Sequence, residues 1–224
     1  MALASSTRAM MRRRLPRLLL FVTAAMLFAA PSAPARAKAT FGAVVSVRGQ
    51  LRPLAFTMTR TSDGKKVTAA SYRGIVVLLY FGFTRCPDTC ALTTYNAARL
   101  LSLLGTDAAR VRFLFVTIDL AHDTVPIVRH YLAEFGPPPG IDGLHGTPAE
   151  LSALARRYFV YYHAPTNPSS PDPVSAIVHA SAVYLFGPDG TAEDIVSDLG
   201  NGNAGLHQLA RRIESLLAGG VSRR

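Results

Sequence analysis

Cysteine is almost absent from this chain: Cys86 and Cys90 are the only two in 224 residues, so at most one bridge can form. Methionine is equally scarce beyond the first 38 residues, where Met58 stands alone, and a methionine-rich metal site is excluded. Residues 1–38 contain no acid at all, yet hold Arg8, Arg12, Arg13, Arg14, Arg17, Arg36 and Lys38. Long apolar runs are also missing. The longest in that leader, Leu18 to Ala30, has thirteen residues, whereas about 20 are usual for crossing a bilayer. There are no internal repeats, and no basic block carries interleaved aromatics.

These absences bound the chain's class. A basic stretch, a short apolar run, then Pro31 and the small-residue segment Ala35-Arg36-Ala37 together read as a signal peptide. A retained membrane anchor stays open, and the arginine run also resembles a twin-arginine signal. The expected destination is the periplasm or the outer face of the cytoplasmic membrane. Residues 1–38 hold seven of the 24 basic residues, leaving 17 against 14 acids. The high net charge is therefore mostly an export signal, and nucleic-acid binding loses its support. The segment boundaries expected are a signal peptide or anchor over 1–37, a linker over 38–53, one domain over 54–218 and a tail over 219–224. About 185 residues outside the leader suffice for one substantial core.

Outside the cytosol two nearby thiols tend to oxidise. As a staple the pair is weak, because closing so short a loop gains only about 2 kcal/mol. If both cysteines are helical, their Cβ atoms lie about 5–6 Å apart, where a relaxed disulfide wants about 3.8 Å. Metal binding, electron exchange and a structural bridge are the three alternatives. Cys86 follows the most apolar run of the folded part, Ile75 to Tyr80, at the start of an expected helix. A helix N-terminus favours thiolate.

Along the chain, Leu54–Met58 reads as a strand, with Asp63-Gly64 turning into Val67-Thr68. Ile75–Gly82 and Val111–Ile118 read as buried strands. A helix over Cys90–Leu104 is expected to present Leu92, Tyr95, Ala98, Leu101 and Leu104 as its apolar spacing. Asp123 or Thr124 caps a second helix running to Phe135, and Gly136 to Gly140 is a stiff turn. Thr147-Pro148-Ala149-Glu150 is a capping box opening a third helix. Phe159–His163 reads as a strand edge and His163–Ser175 as an exposed loop. A hairpin pairs Ala180–Phe186 with Thr191–Val196 across Gly187-Pro188-Asp189-Gly190, and a final helix spans Leu206–Leu217. This order predicts an α/β thioredoxin-like fold with an inserted helix and extra N-terminal strands.

Three stretches carry a resemblance. They are Val77 to Cys90 with its Cys86-Pro87-Asp88-Thr89-Cys90, Gly143 to Glu150, and His179 eight residues before Gly187-Pro188-Asp189-Gly190. From about Leu54 to Leu217 the chain resembles the Sco/SenC family of copper-delivery proteins, which serve cytochrome c oxidase assembly. The resemblance implies Cys86, Cys90 and His179 as copper ligands, and Asp119 and Asp123 as an acidic pair orienting the site. It also implies a copper-accepting subunit of a respiratory oxidase as partner, with a thiol reductant protein as a further one. Two thiolates and an imidazole form a soft set suited to Cu(I), while Cu(II) would want a further donor. Zinc competes as a metal but normally fills four positions, for which Asp119, His122 or Asp123 would have to approach. The alternative function is thiol–disulfide oxidoreductase, one cysteine attacking and the other resolving; the usual redox spacing is C-x-x-C. His122, His130, His145, His163 and His207 are expected at surface or structural positions, and Asp88 in a first helical turn. The chain departs from the family at Val178, Ala91 and Leu120-Ala121-His122, positions where an acid, a proline and a Pro-Glu-Arg type of sequence are usual.

Overall fold

The computed structural model describes residues 44–87, 89–136, 140–164, 177–197, 199 and 203–221. The expected leader, Asp88, the three prolines at 137–139, residues 165–175 of the expected loop and the last residues of the tail lie outside the described residues.

Eight strands form one mixed sheet in the order β1 (Val44–Ser46), β10 (Ala192–Val196), β9 (Val183–Phe186), β4 (Val76–Gly82), β5 (Val111–Thr117), β6 (Ile141–His145), β2 (Thr57–Arg60), β3 (Lys66–Thr68). Its centre is β4 (Val76–Gly82) beside β5 (Val111–Thr117), paired in parallel from Val76↔Val111 to Gly82↔Thr117. Every residue of β4 is buried, as an apolar strand covered on both faces requires. On one side β4 pairs antiparallel with β9 (Val183–Phe186), whose hairpin partner is β10 (Ala192–Val196). On the other, β6 (Ile141–His145) adds in parallel to β5, followed by the hairpin β2 (Thr57–Arg60) and β3 (Lys66–Thr68).

The helices α1 (Thr89–Leu103), α2 (Val125–Ala133), α3 (Pro148–Arg157) and α4 (Asn203–Val221) complete the thioredoxin-like α/β architecture. α3 opens on the expected box: Glu150 N–H donates to Thr147 Oγ1 at 3.2 Å, and Thr147 N–H to Glu150 Oε2 at 2.7 Å. A separate two-stranded ribbon pairs β7 (Tyr162–His163) antiparallel with β8 (Val178–His179).

Four differences from the sequence reading have physical causes. The expected linker contains β1 (Val44–Ser46), which covers the exposed edge of β10, and Val47 N–H continues the pairing to Glu193 O at 2.9 Å. At the other end α4 runs through Val221, into the expected tail. β6 was not expected, because Asp142 and Gly143 break its apolar pattern. Yet the glycine is required there, since a Cβ would collide with Thr61 Oγ1 and Val128 Cγ1. Lastly, α1 buries Cys90, Thr93, Thr94, Asn96, Ala97 and Leu100, while Leu92 and Tyr95 are exposed at 43% and 53%. Ala98, Leu101 and Leu104 of the expected face do pack against the core, so the buried face is rotated only in part, with small residues filling it beside Leu100.

Candidate metal centre

The centre lies past the carboxyl ends of β4 and β5, where open α/β sheets gather ligand-binding groups. β4 ends at Gly82, where only glycine fits, since a Cβ would stand 2.8 Å from the Tyr80 and Phe115 rings. The chain then turns through Phe83, Thr84 and Arg85 to Cys86, and α1 begins at Thr89. Cys86 therefore precedes the helix and only Cys90 is on it, so the two sulfurs do not share a helical face. They converge in another way: Cys90 N–H donates to Cys86 Sγ at 3.4 Å, so that Cys86 serves the first-turn amide as a cap.

His179 reaches the same place from the β7–β8 ribbon. Its Nε2 lies 3.4 Å from Cys90 Sγ, and the Cys86, Cys90 and His179 donor atoms are all within 4.8 Å of one another. Its Nδ1–H donates to the Ala180 carbonyl at 3.0 Å, which leaves Nε2 with a lone pair toward the sulfurs. The imidazole packs edge-on against Phe83 and Tyr80, with centroids 5.7 and 6.0 Å away. Donors around one ion, with bonds of about 2.0–2.3 Å, stand about 3.5–4 Å apart in a trigonal arrangement. The observed spread closes to that with small side-chain movements. Among the described residues no other His, Cys, Asp or Glu joins this group.

The two sulfurs differ in setting. Cys86 is partly exposed and Cys90 fully buried. The hydrogen bond with Cys86 and then burial hold the Cys90 thiol far above its ordinary range, against the Tyr80 hydroxyl and the Phe83 backbone.

Asp119 and Asp123 are both fully buried, and neither is placed among the three donors. Asp123 does not cap α2, whose N-cap is Thr124. Its carboxylate instead accepts from Thr84 Oγ1 (2.5 Å), Thr84 N–H (3.0 Å) and Thr117 Oγ1 (2.6 Å). Burial raises its pKa and those hydrogen bonds oppose the rise. Asp119 accepts from Arg85 Nη2 at 2.8 Å and lies 2.8 Å from His122 Nδ1. The acids thus tie Thr84 and Arg85, the two residues before Cys86, to the end of β5. The sequence reading missed Thr84, Arg85 and Thr117 as partners, and missed Tyr80 and Phe83 as the walls holding the imidazole.

Comparison with known proteins points the same way. The SCO1/SenC family model matches residues 51–215. The mitochondrial SCO2 homolog of Bos taurus is 35% identical over 136 residues, covering 60% of this chain and 50% of its own length. The mitochondrial SCO1 homolog of Homo sapiens is 35% identical over 137 residues, covering 60% and 44% respectively. The chain thus spans about half the length of the curated relatives it matches. Among solved structures, Bradyrhizobium japonicum ScoI with copper bound is 30% identical with a TM-score of 0.61, covering 72% of this chain and 98% of that one. Yeast Sco1 with copper bound is 27% identical with a TM-score of 0.63, covering 74% and 90%.

Proposed function

The chain belongs to the SCO1/SenC family, and from that premise we propose that it is a copper metallochaperone that carries the ion on Cys86, Cys90 and His179. The observation that carries this reading is the convergence of two sulfurs and one imidazole nitrogen within 4.8 Å. The donor set is soft and three-coordinate, which suits Cu(I). Its acceptor is the copper-accepting subunit of a respiratory oxidase. Transfer proceeds by ligand exchange: an incoming thiolate takes a coordination position as one of the three donors leaves, so the ion is never released to water. The protein works outside the cytosol, with the basic leader and its apolar run directing export or holding it to the membrane. Among the described residues no helix is long and apolar enough to cross a membrane.

The test is competition with a Cu(I) chelator. The reduced protein takes up about one equivalent, and His179→Ala binds at least about tenfold more weakly while keeping its circular dichroism spectrum. Unchanged affinity in that variant would overturn the ligand assignment.

A second activity is favoured by the unequal exposure of the cysteines. In this reading Cys86 thiolate attacks a disulfide of an exported copper protein, forming a mixed disulfide and expelling one thiolate. Cys90 then attacks Cys86 Sγ, releasing the second thiol and leaving a Cys86–Cys90 disulfide, which a thiol reductant protein returns to two thiols. On this account Cys86→Ser abolishes reduction of a model disulfide peptide and His179→Ala does not. Wild-type rates in Cys86→Ser would exclude it. Oxidation of the pair should also block copper uptake.

A further inference from the structure

A groove of about 750 Å³ lies between the segment before β2 and helix α3, and none of the three donors lines it. Its walls include Arg52, Phe56, Leu154, Arg156, Arg157 and Phe159. Arg157 builds the groove, its Nε and Nη2 both donating to the Pro53 carbonyl at 3.1 and 2.8 Å. Arg156 Nη1 donates to Ser152 Oγ at 2.6 Å. Among the described residues none of these three arginines has a carboxylate partner. The acid beside them, Glu150, is held by Lys66 at 2.6 Å and by the Thr147 amide. The groove therefore presents guanidinium charge whose counter-ions must come from elsewhere.

Phe159 stands at its end in an unusual state. It is the one non-glycine residue at positive φ among the described residues, at 57°, and it is 82% exposed. It occupies the position just past the C-cap of α3: Val160 N–H donates to Ala155 O and Phe159 N–H to Arg156 O. That hydrogen-bond pair is the Schellman closure, whose left-handed residue is usually glycine. A phenylalanine there carries a steric cost and buries almost nothing in return. An exposed strained aromatic beside three arginines is the composition of a binding hot spot. Tyr161, 71% exposed, extends the aromatic surface toward β7.

We propose that this groove docks an extended acidic segment of a partner protein, with carboxylates on Arg52, Arg156 and Arg157 and an apolar side chain against Phe159 and Leu154. Concavity and an apolar floor suit a peptide chain, and bidentate guanidinium–carboxylate pairing suits its acids. The site is separate from the three metal donors, so copper uptake stays at the wild-type level in the variants below.

The experiment uses the full-length chain and a fluorescein-labelled hexapeptide, Asp-Glu-Phe-Asp-Glu-Leu, followed by anisotropy. A second peptide carries lysine at each acidic position. The acidic peptide binds and the basic one does not, and both Phe159→Gly and Arg156→Glu weaken binding about tenfold or more. Phe159→Gly melts no lower than wild type, because glycine suits its backbone. Equal binding of the two peptides, or wild-type affinity in Phe159→Gly, overturns the proposal. A lower melting temperature for that variant, which would make the ring structural, also does. So does binding confined to phosphatidylglycerol vesicles, which would make this face a membrane contact.

Discussion

At the residue scale, the centre depends on how two buried carboxylates are used. Asp123 accepts three hydrogen bonds from Thr84 and Thr117, and hydrogen bonds to a charged acceptor contribute about 1.5–3 kcal/mol each. Asp123→Ala removes the acceptor of three donors, the Thr117 hydroxyl buried and the Thr84 hydroxyl and amide partly buried. It should lower the unfolding free energy by about 2–4 kcal/mol in urea and weaken Cu(I) binding by about 10–100-fold. A stability loss with copper affinity untouched would show that the acid supports the fold and does nothing for the loop bearing Cys86. That Cys86, Cys90 and His179 come together was legible through the family resemblance, which sets the histidine eight residues before the Gly187–Gly190 turn. The Arg85–Asp119 and Thr84–Asp123 partnerships were not. They join the ends of adjacent parallel strands, and nothing local in the sequence states which ends meet.

At the scale of elements, long apolar runs announced themselves and short interrupted ones did not. β4 and β5 were readable to within a residue or two because burial on both faces leaves no polar position to confuse the pattern. The box at Thr147 located the start of α3, since its residues act through the backbone they sit on. β1 has three residues and β6 carries an aspartate and a glycine, so neither offers the period of a half-buried strand. α1 was found and Ala98, Leu101 and Leu104 of its expected face do pack on the core, but Leu92 and Tyr95 point outward while Thr93, Thr94, Asn96 and Ala97 are buried in their place. The tight packing of β6 is testable. Gly143→Ala places a methyl against Thr61, Val128 and Leu132 and should cost about 1–3 kcal/mol in thermal or urea unfolding. Neither the sulfurs nor His179 is among those contacts, so the folded fraction should bind copper normally.

For the whole molecule, stability should respond to mild acid through His145, at the end of β6. Burial lowers its pKa, outweighing the nearby Asp123 and Glu150 charges, with Lys66 lowering it further. The unfolded chain therefore takes up a proton at the ordinary value, about 6.5, while the folded one still resists it. The contribution is complete above that value and is lost as the pH falls through it toward the depressed folded-state value. Melting temperature should drop between about pH 7 and pH 5, and His145→Gln should flatten the drop. An unchanged slope in the variant would assign the acid sensitivity elsewhere. The arrangement of the two sheets has its own outcome for delivery. Both sulfurs ride on the main body of the domain, but the imidazole belongs to a ribbon only two residues wide on each side. On the proposed ligand set such a slender strap would be the first to yield to a rival donor, so handover would begin with the nitrogen swinging off and end with the thiolates letting go.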